Sequence, residues 1–167
     1  MPSVVLVGMP GAGKSTIGVL LAKQLARQFI DTDLLIQLKA KRPLQAIVNE
    51  QGYLALRALE EEVLLETDVQ DSVVATGGSA VYSQKAMERL KRLGTIVYLQ
   101  VGSDELKRRL GDFSERGIAC DPGTGFEAIY NERCPLYRRY ADITVDWVNQ
   151  SAEEVVEQIV AALNRHP

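Results

Sequence analysis

The chain has 167 residues, a length typical of a single domain with one hydrophobic core. Its apolar fraction of 46% and charged fraction of 25% are typical of a folded globular protein and argue against disorder of the whole chain. The net charge of −3 provides no global positive field that would hold nucleic acid or anionic lipid, so we expect neither as a partner.

Cysteine usage and hydropathy indicate the compartment. Cys120 and Cys134 are too few for a disulfide framework and are not spaced as a zinc-binding pair, so free thiols in a reducing cytosol are the simplest interpretation. No signal-peptide pattern opens the sequence, and no run approaches the roughly 20 apolar residues of a membrane span. We therefore expect a cytoplasmic protein without a membrane partner, and a monomer.

Five short apolar runs, rich in β-branched residues, predict strands that are buried on both faces, as in a parallel sheet. They are residues 3–7, 29–30, 72–76, 95–101 and 143–145. Apolar residues at helical spacing predict helices at residues 15–26, 53–65, 84–93, 103–110, 125–138 and 152–163. Ser103 and Ser151 are predicted N-caps. The alternation predicts an α/β fold in which helices cover both faces of a five-stranded parallel sheet, within one domain of residues 1–167.

Residues 111–124 do not fit this alternation, because they carry little hydrophobic periodicity. The segment contains Asp112, Arg116, Asp121 and Pro122 and is long for a connection in a compact domain. Such a segment predicts either a lid or a disordered loop, and we take the lid as the working hypothesis.

A phosphate-binding motif follows the first predicted strand. The segment Gly8–Ser15 reads G-M-P-G-A-G-K-S and matches G-x-x-x-x-G-K-[ST] at every fixed position. Its glycines can turn backbone N–H groups toward a phosphate beside the N-terminus of the following helix. Lys14 is predicted to reach the β- and γ-phosphates of ATP, and the Ser15 hydroxyl to bind Mg²⁺. The motif predicts a P-loop NTPase fold whose nucleotide-binding residues are Gly11, Ala12, Gly13, Lys14, Ser15 and Thr16.

This motif identifies nucleotide binding but leaves the reaction open. No N-K-x-D motif for reading guanine is present, which argues against a GTP-binding switch protein. An ATPase motor normally needs a longer chain. The size favours a kinase that acts on a small molecule or a nucleotide.

Two carboxylates, Asp31 and Asp33, follow the second predicted strand. Because ligands bind beyond the carboxyl ends of such strands, Asp31 is predicted to hold a magnesium-bound water. Asp33 is predicted to hydrogen-bond or deprotonate the acceptor hydroxyl. The alternative makes Asp33 the N-cap of a helix over residues 34–39 and Asp31 a loop residue.

The other candidates are three arginines and a glycine-rich turn. Arg57 either binds a ligand or forms an ion pair with the glutamates three and four positions later in its helix. The run Gly77-Gly78-Ser79 ends the third predicted strand, where glycines let a ligand approach the backbone, although a simple tight turn is the alternative. Arg116 and Arg133 are either ligand-binding or merely solvated.

Taken together, these motifs resemble the shikimate kinases over nearly the whole chain. The motifs are G-M-P-G-A-G-K-S-T from Gly8 to Thr16, D-T-D from Asp31 to Asp33, G-x-x-x-x-R-x-x-E from Gly52 to Glu60, G-G at Gly77 and Gly78, R-x-P-L-Y from Arg133 to Tyr137, and A-D at Ala141 and Asp142. Each later motif is weak by itself, and their order and spacing make the set specific.

The resemblance implies transfer of the ATP γ-phosphoryl group to the 3-hydroxyl of shikimate, with Mg²⁺. Arg57 and Arg133 would bind the shikimate carboxylate, and Asp33 the ring hydroxyls. Arg116 would close over the phosphates from the lid, and Arg109 would lie near the nucleotide. The implied acceptor-binding residues are Asp33, Arg57, Gly77, Gly78, Ser79 and Arg133, within an acceptor-binding region of about residues 33–62; the implied catalytic residues are Lys14, Asp33 and Arg116.

The chain departs from the family pattern at its acceptor side. Ser79 replaces a third glycine, and Tyr53 and Leu56 replace glutamate and phenylalanine. The family lid commonly reads R-P-L-L, whereas here Arg116 is followed by G-I-A-C at residues 117–120. The first interpretation is a shikimate kinase. The second is a related kinase for another small hydroxy acid or sugar acid, and the third is a nucleotide-binding regulator with weak turnover.

Overall fold

The computed structural model describes residues 1–111 and 118–166, and these contain a parallel five-stranded sheet. Its strands are β1 Ser3–Val7, β2 Gln28–Asp31, β3 Ser72–Ala75, β4 Gly94–Gln100 and β5 Ile143–Asp146, in the order β2-β3-β1-β4-β5. The central strand β1 pairs with β3 and β4, so the carboxyl ends of all three lie at the same edge of the sheet. The sequence predicted each strand to within one or two residues.

Helices connect these strands. They are α1 Lys14–Leu25, α2 Thr32–Ala40, α3 Leu44–Gln51, α4 Tyr53–Glu66, α5 Gln84–Leu93, α6 Ser103–Leu110, α7 Phe126–Tyr140 and α8 Ala152–Arg165, with a 3₁₀ turn at Ala80–Tyr82. The short helix α3 and the 3₁₀ turn were not predicted. None of the helices in the described part of the chain is long and apolar enough to cross a membrane.

Buried side chains on the two faces of the sheet account for its continuous apolar strands. One cluster joins the sheet to α1 and α8, through residues such as Ile17 and Val155. The other joins it to α4, α5 and α7, through residues such as Leu64, Met87 and Ile129. Both faces are therefore covered, as the sequence predicted, and the strand ends are left as the place for a ligand.

The helices between β2 and β3 have a small apolar cluster of their own. Ile36, Ile47, Leu56 and Val63 join α2, α3 and α4 in this cluster. Ala119, which lies far along the chain, is 3% exposed and belongs to the same cluster. The predicted acceptor-binding region of about residues 33–62 thus adjoins the C-terminal part of the predicted lid.

The helix caps correct two details of the sequence analysis. Ser151 caps α8 as predicted, because its hydroxyl accepts from the Glu154 N–H at 3.1 Å. The prediction for Ser103 was wrong: α6 begins at Ser103 itself, and its N-cap is Gly102, which has no side chain. Asp31 rather than Asp33 caps α2, so the alternative interpretation of this pair is also wrong.

Candidate active site

A cavity of about 320 Å³ lies beyond the carboxyl ends of β1, β2 and β3. The predicted residues that line it are Gly11, Gly13, Lys14, Ser15, Thr16, Asp33, Gly77, Gly78, Ser79 and Arg133. Ala12, Asp31, Arg57 and Arg109 lie outside this lining. Arg116 lies outside the residues that the structure describes.

The P-loop connects β1 directly to α1. Gly11 and Gly13 have φ angles of +81° and +90°, a left-handed conformation that glycine adopts without strain. Lys14 is buried, and its Nζ donates to the carbonyl oxygens of Gly8 and Met9 at 2.7 and 2.8 Å. Burial lowers the Lys14 pKa to about 8, a shift that the Asp33 carboxylate opposes. The lysine is thus held at the mouth of the phosphate-binding loop with a carboxylate nearby.

Ser15 and Asp31 come together where α1 and β2 meet the cavity. The Ser15 hydroxyl donates to Asp31 Oδ2 at 2.8 Å. Asp31 Oδ1 accepts from the Asp33 and Leu34 N–H groups, which fixes the carboxylate at the start of α2. A hydroxyl and a carboxylate are hard oxygen ligands of the kind that Mg²⁺ takes together with waters and phosphate oxygens. The pair fits one side of a magnesium site.

Two carboxyl groups flank Gly77 at the bottom of the cavity. A Cβ at Gly77 would lie 2.6 Å from Glu60 Oε1 and 2.8 Å from Asp33 Oδ1, so a side chain here would displace these carboxyl groups. The Gly77 N–H donates to Thr32 Oγ1 at 3.2 Å. Burial raises the pKa of Asp33, and the Lys14 ammonium opposes the shift. Asp33 therefore combines a position in the cavity with the perturbed pKa that acid–base residues often have.

Arg57 and Arg133 converge on one oxygen atom although they lie on different helices. Arg57 donates to the Ala119 carbonyl from Nε at 3.2 Å and from Nη2 at 3.1 Å. Arg133 donates to the same carbonyl from Nη2 at 3.0 Å and is 1% exposed. The ring of Tyr82 lies against both guanidinium groups, 3.8 Å and 5.3 Å from their central carbons. In the described part of the chain Arg57 makes no ion pair, so neither intrahelical glutamate is its partner.

The turn after β3 supplies backbone groups. Gly78 packs so closely that a Cβ would lie 2.8 Å from Pro10 Cδ and 2.9 Å from Arg133 Nη1. Its carbonyl accepts from the Tyr137 hydroxyl at 2.5 Å, which orients the turn. Within the described residues, no hydrogen bond uses the backbone N–H of Gly78 or Ser79. These two N–H groups are available to a ligand.

Arg109 lies against the outer side of the P-loop. Its Nη1 donates to the carbonyls of Gly11 and Ala12 at 3.3 and 3.4 Å, and its guanidinium lies 4.5 Å from the ring centre of Trp147. The Trp147 ring edge also fills the space beside Gly13. The predicted nucleotide neighbour is thus placed at the P-loop by an aromatic side chain.

Sequence reasoning missed several residues of this site. The sequence analysis considered Glu60 only as the last position of the G-x-x-x-x-R-x-x-E motif and as an ion-pair partner of Arg57. Its side chain is in fact buried at the cavity wall. Tyr82, Trp147 and the carbonyl of Ala119 carried no recognisable signal, because isolated aromatic residues and backbone carbonyls have no sequence pattern. Glu60 could have been suspected as a glutamate on the apolar face of α4, with Leu56 and Val63.

Comparisons with known proteins agree with this geometry. The model of the shikimate kinase family matches residues 10–164. A shikimate kinase of Mycobacterium avium is 40% identical over 165 residues, which cover 97% of this chain and 93% of the relative. A shikimate kinase of Acinetobacter baumannii, solved in complex with shikimate, superposes with a TM-score of 0.86 at 28% identity and covers 99% of this chain and 94% of its own. The shikimate kinase of Aquifex aeolicus superposes with a TM-score of 0.83 at 31% identity and covers 97% of this chain and 96% of its own. The chain belongs to the shikimate kinase family, ATP-dependent phosphotransferases with an alcohol group as acceptor.

Proposed function

We propose that this chain transfers the γ-phosphoryl group of ATP to the 3-hydroxyl of shikimate in the cavity described above. The observation that carries the proposal is the convergence of Arg57 and Arg133 on one oxygen beside the P-loop. Two guanidinium groups that reach a single acceptor oxygen are suited to a ligand carboxylate. The site thus joins a phosphate cradle to a carboxylate clamp, which is what a hydroxy-acid kinase requires.

Phosphoryl transfer depends on positioning and on charge stabilisation. Backbone N–H groups of the P-loop hold the phosphates, and Lys14 exchanges its carbonyl partners for γ-phosphoryl oxygens. Ser15 and Asp31 would hold Mg²⁺, which would supply positive charge against the β- and γ-phosphates. Arg109 lies near the nucleotide at the outer side of the loop.

Asp33 activates the acceptor. Its carboxylate accepts the proton of the attacking hydroxyl. The oxygen of that hydroxyl bonds to the γ-phosphorus of ATP, while the bond from this phosphorus to the β–γ bridging oxygen breaks and ADP leaves. The unused N–H groups of Gly78 and Ser79 bind the acceptor across the cavity. Gly77 leaves the room that both carboxyl groups beside it require.

The segment of residues 111–124 acts as a lid. Its support is the carbonyl of Ala119, which accepts hydrogen bonds from both arginines. A shikimate carboxylate competes for those donors, so binding requires residues 118–120 to shift. The closed lid excludes water that would otherwise hydrolyse ATP, and Arg116 contacts the phosphates from it.

No observation on the described residues favours another small hydroxy acid or a sugar acid as acceptor, or a nucleotide-binding regulator with weak or no turnover. The Ser79 hydroxyl, which could have bound a different polyol, donates to Glu60 instead. Lys14, Ser15, Asp31 and Asp33, which a regulator without turnover could lose, are all present. That the enzyme acts as a monomer in the cytoplasm stays a prediction.

The test is a coupled ADP-release assay across a panel of hydroxy acids that includes shikimate, quinate and gluconate. We expect shikimate to give the highest kcat/KM, with product phosphorylated at the 3-hydroxyl by NMR. A higher kcat/KM for another acid would identify that acid, rather than shikimate, as the acceptor. Turnover with none of them would refute the proposed function.

A further inference from the structure

The Arg57 guanidinium group contacts two aromatic rings. Its central carbon lies 3.8 Å from the ring centre of Tyr82 and 5.0 Å from that of Tyr53. Tyr53 precedes Arg57 by four residues in α4, so the two side chains share one face of that helix. Tyr82 comes from a distant segment, the 3₁₀ turn that follows β3. Two rings from separate elements, the aromatic pair Tyr53 and Tyr82, thus contact one cation.

The hydroxyl group of Tyr82 holds its ring against α7. It donates to Glu132 Oε1 and accepts from Arg133 Nε at 3.3 Å, and both partners lie on that helix. Burial and the neighbouring Glu132 raise the Tyr82 pKa above its ordinary value, so the hydroxyl keeps the proton that it donates. Tyr82 therefore joins the two arginines of the carboxylate clamp, Arg133 through its hydroxyl and Arg57 through its ring.

An aromatic face holds a guanidinium group without using its N–H donors. The attraction is between the positive charge and the ring quadrupole, whereas the N–H groups point outward from the edge of the guanidinium. Among the described residues, the hydrogen bonds of Arg57 go to the carbonyl of Ala119, and it has no carboxylate partner. A long side chain that is already ordered loses less conformational entropy when it binds a ligand. The rings therefore order Arg57 and leave its donors for an acceptor oxygen.

We propose that Tyr53 and Tyr82 are positioning residues that hold Arg57 for the carboxylate of the acceptor, an inference that rests on the proposed function. The aromatic pair keeps the Arg57 donors directed at the point on which Arg133 also converges. It thereby favours an anionic acceptor over a neutral one of the same shape. This gives a role to Tyr53, which stands where the family pattern has glutamate.

The kinetic experiment measures kcat/KM for shikimate and for its carboxamide in tyrosine variants. We expect Tyr82→Leu to lower kcat/KM for shikimate roughly five- to thirtyfold, mainly through KM, and to affect the amide much less. Tyr82→Phe keeps the ring and should stay within about threefold of wild type with the acid. Tyr53→Leu should follow the same pattern with a smaller loss, roughly two- to fivefold, because its ring lies further from Arg57.

The ratio of the acid and amide values separates positioning from stability, because a partly unfolded enzyme loses both activities in the same proportion. An unchanged ratio in either leucine variant overturns the role of that tyrosine. A loss in Tyr82→Phe as large as in Tyr82→Leu overturns the role of the ring. The control is Tyr140→Leu, since the Tyr140 ring lies 5.8 Å from the guanidinium of Arg139 and outside the cavity lining, and its ratio should match wild type.

A double-mutant cycle shows whether the ring acts through Arg57. The step from phenylalanine to leucine at position 82 removes the ring without removing a hydroxyl. It should lower the ratio of acid to amide in the enzyme that has Arg57 and leave the ratio nearly unchanged in Arg57→Ala. An equal change in both backgrounds overturns the inference.

NMR relaxation of the Arg57 Nε–H group tests the same idea without any turnover. We expect this group to be more ordered in wild type and Tyr82→Phe than in Tyr82→Leu. If wild type leaves shikimate unphosphorylated, the proposed function fails. The relaxation data still test the aromatic pair in that case, and equal order in wild type and Tyr82→Leu contradicts the inference.

Discussion

Replacement of Arg57 by alanine is the most direct test of the carboxylate clamp. Two Arg57 donors, Nε and Nη2, bond the neutral carbonyl oxygen of Ala119. With shikimate bound, both would bond a carboxylate, which adds the attraction between two full charges. Removal of one partner from a hydrogen-bonded charge pair of this kind costs about 2–5 kcal/mol.

This free energy corresponds to a loss of roughly thirty-fold to several thousand-fold in kcat/KM for shikimate in Arg57→Ala. The assay measures kcat/KM for shikimate and for its carboxamide, in which the charge is removed and the shape is kept. We expect the variant to lose far less with the amide. KM for ATP should stay within about twofold, because Arg57 lies outside the phosphate cradle.

The matched control is Arg138→Ala, since Arg138 is an exposed arginine that bonds Gln100 instead of the cavity. It should leave both substrates unaffected. Arg133→Lys is a second variant for the same comparison. It keeps the buried charge but lacks the planar fork of donors, so its kcat/KM should also fall more for shikimate than for the carboxamide. If Arg57→Ala costs the acid and the amide equally, the clamp is refuted and Arg57 is a structural residue that holds Ala119.

Three further predictions follow from the cavity. Lys14→Ala should lower kcat by at least roughly a hundredfold in a protein that circular dichroism shows to be folded, because Lys14 stabilises charge on the transferred group; near wild-type turnover would refute the P-loop assignment. Gly78→Ala should raise KM for shikimate more than KM for ATP, since the new Cβ lies 2.8 Å from Pro10 and 2.9 Å from Arg133; equal increases would contradict the placement of Gly78 on the acceptor side. Hydrogen exchange at residues 118–124 should slow when ATP and shikimate are both bound, and equal exchange with and without ligands would contradict a lid.

The nucleotide half of the site could be predicted because its chemistry lies in one short segment. The P-loop needs only adjacent residues, and Asp31 ends β2, the next strand along the chain. Strand bounds were predicted because buried parallel strands require continuous apolar runs. What failed was local: Ser103 resembles a cap, but Gly102 already has the extended backbone of an N-cap, with φ −63° and ψ 152°.

The acceptor half could be predicted only in part, because it depends on contacts between distant segments. Helix α3 has no side-chain cap at Pro43, and Ile47 is its one fully buried residue, so the segment carries neither a start signal nor a clear apolar periodicity. Ala119 meets Arg57 across 62 positions of the chain through a backbone carbonyl, which has no residue signature. The motif around Arg57 indicated a functional arginine, but only the fold identifies the atom on which it converges with Arg133.

The placement of Arg133 explains why the acceptor site depends on helix α7 as a whole. Arg133 lies one turn before Tyr137, whose ring centre is 5.2 Å from that of Tyr98 in β4. The Tyr137 hydroxyl also donates to the Gly78 carbonyl, which links α7 to the turn after β3. The same residue therefore anchors α7 to the sheet and fixes the turn that carries the available N–H groups. Tyr137 thus connects the helix that carries Arg133 to the turn that carries Gly78, and the two parts of the proposed acceptor site rest on one buried side chain.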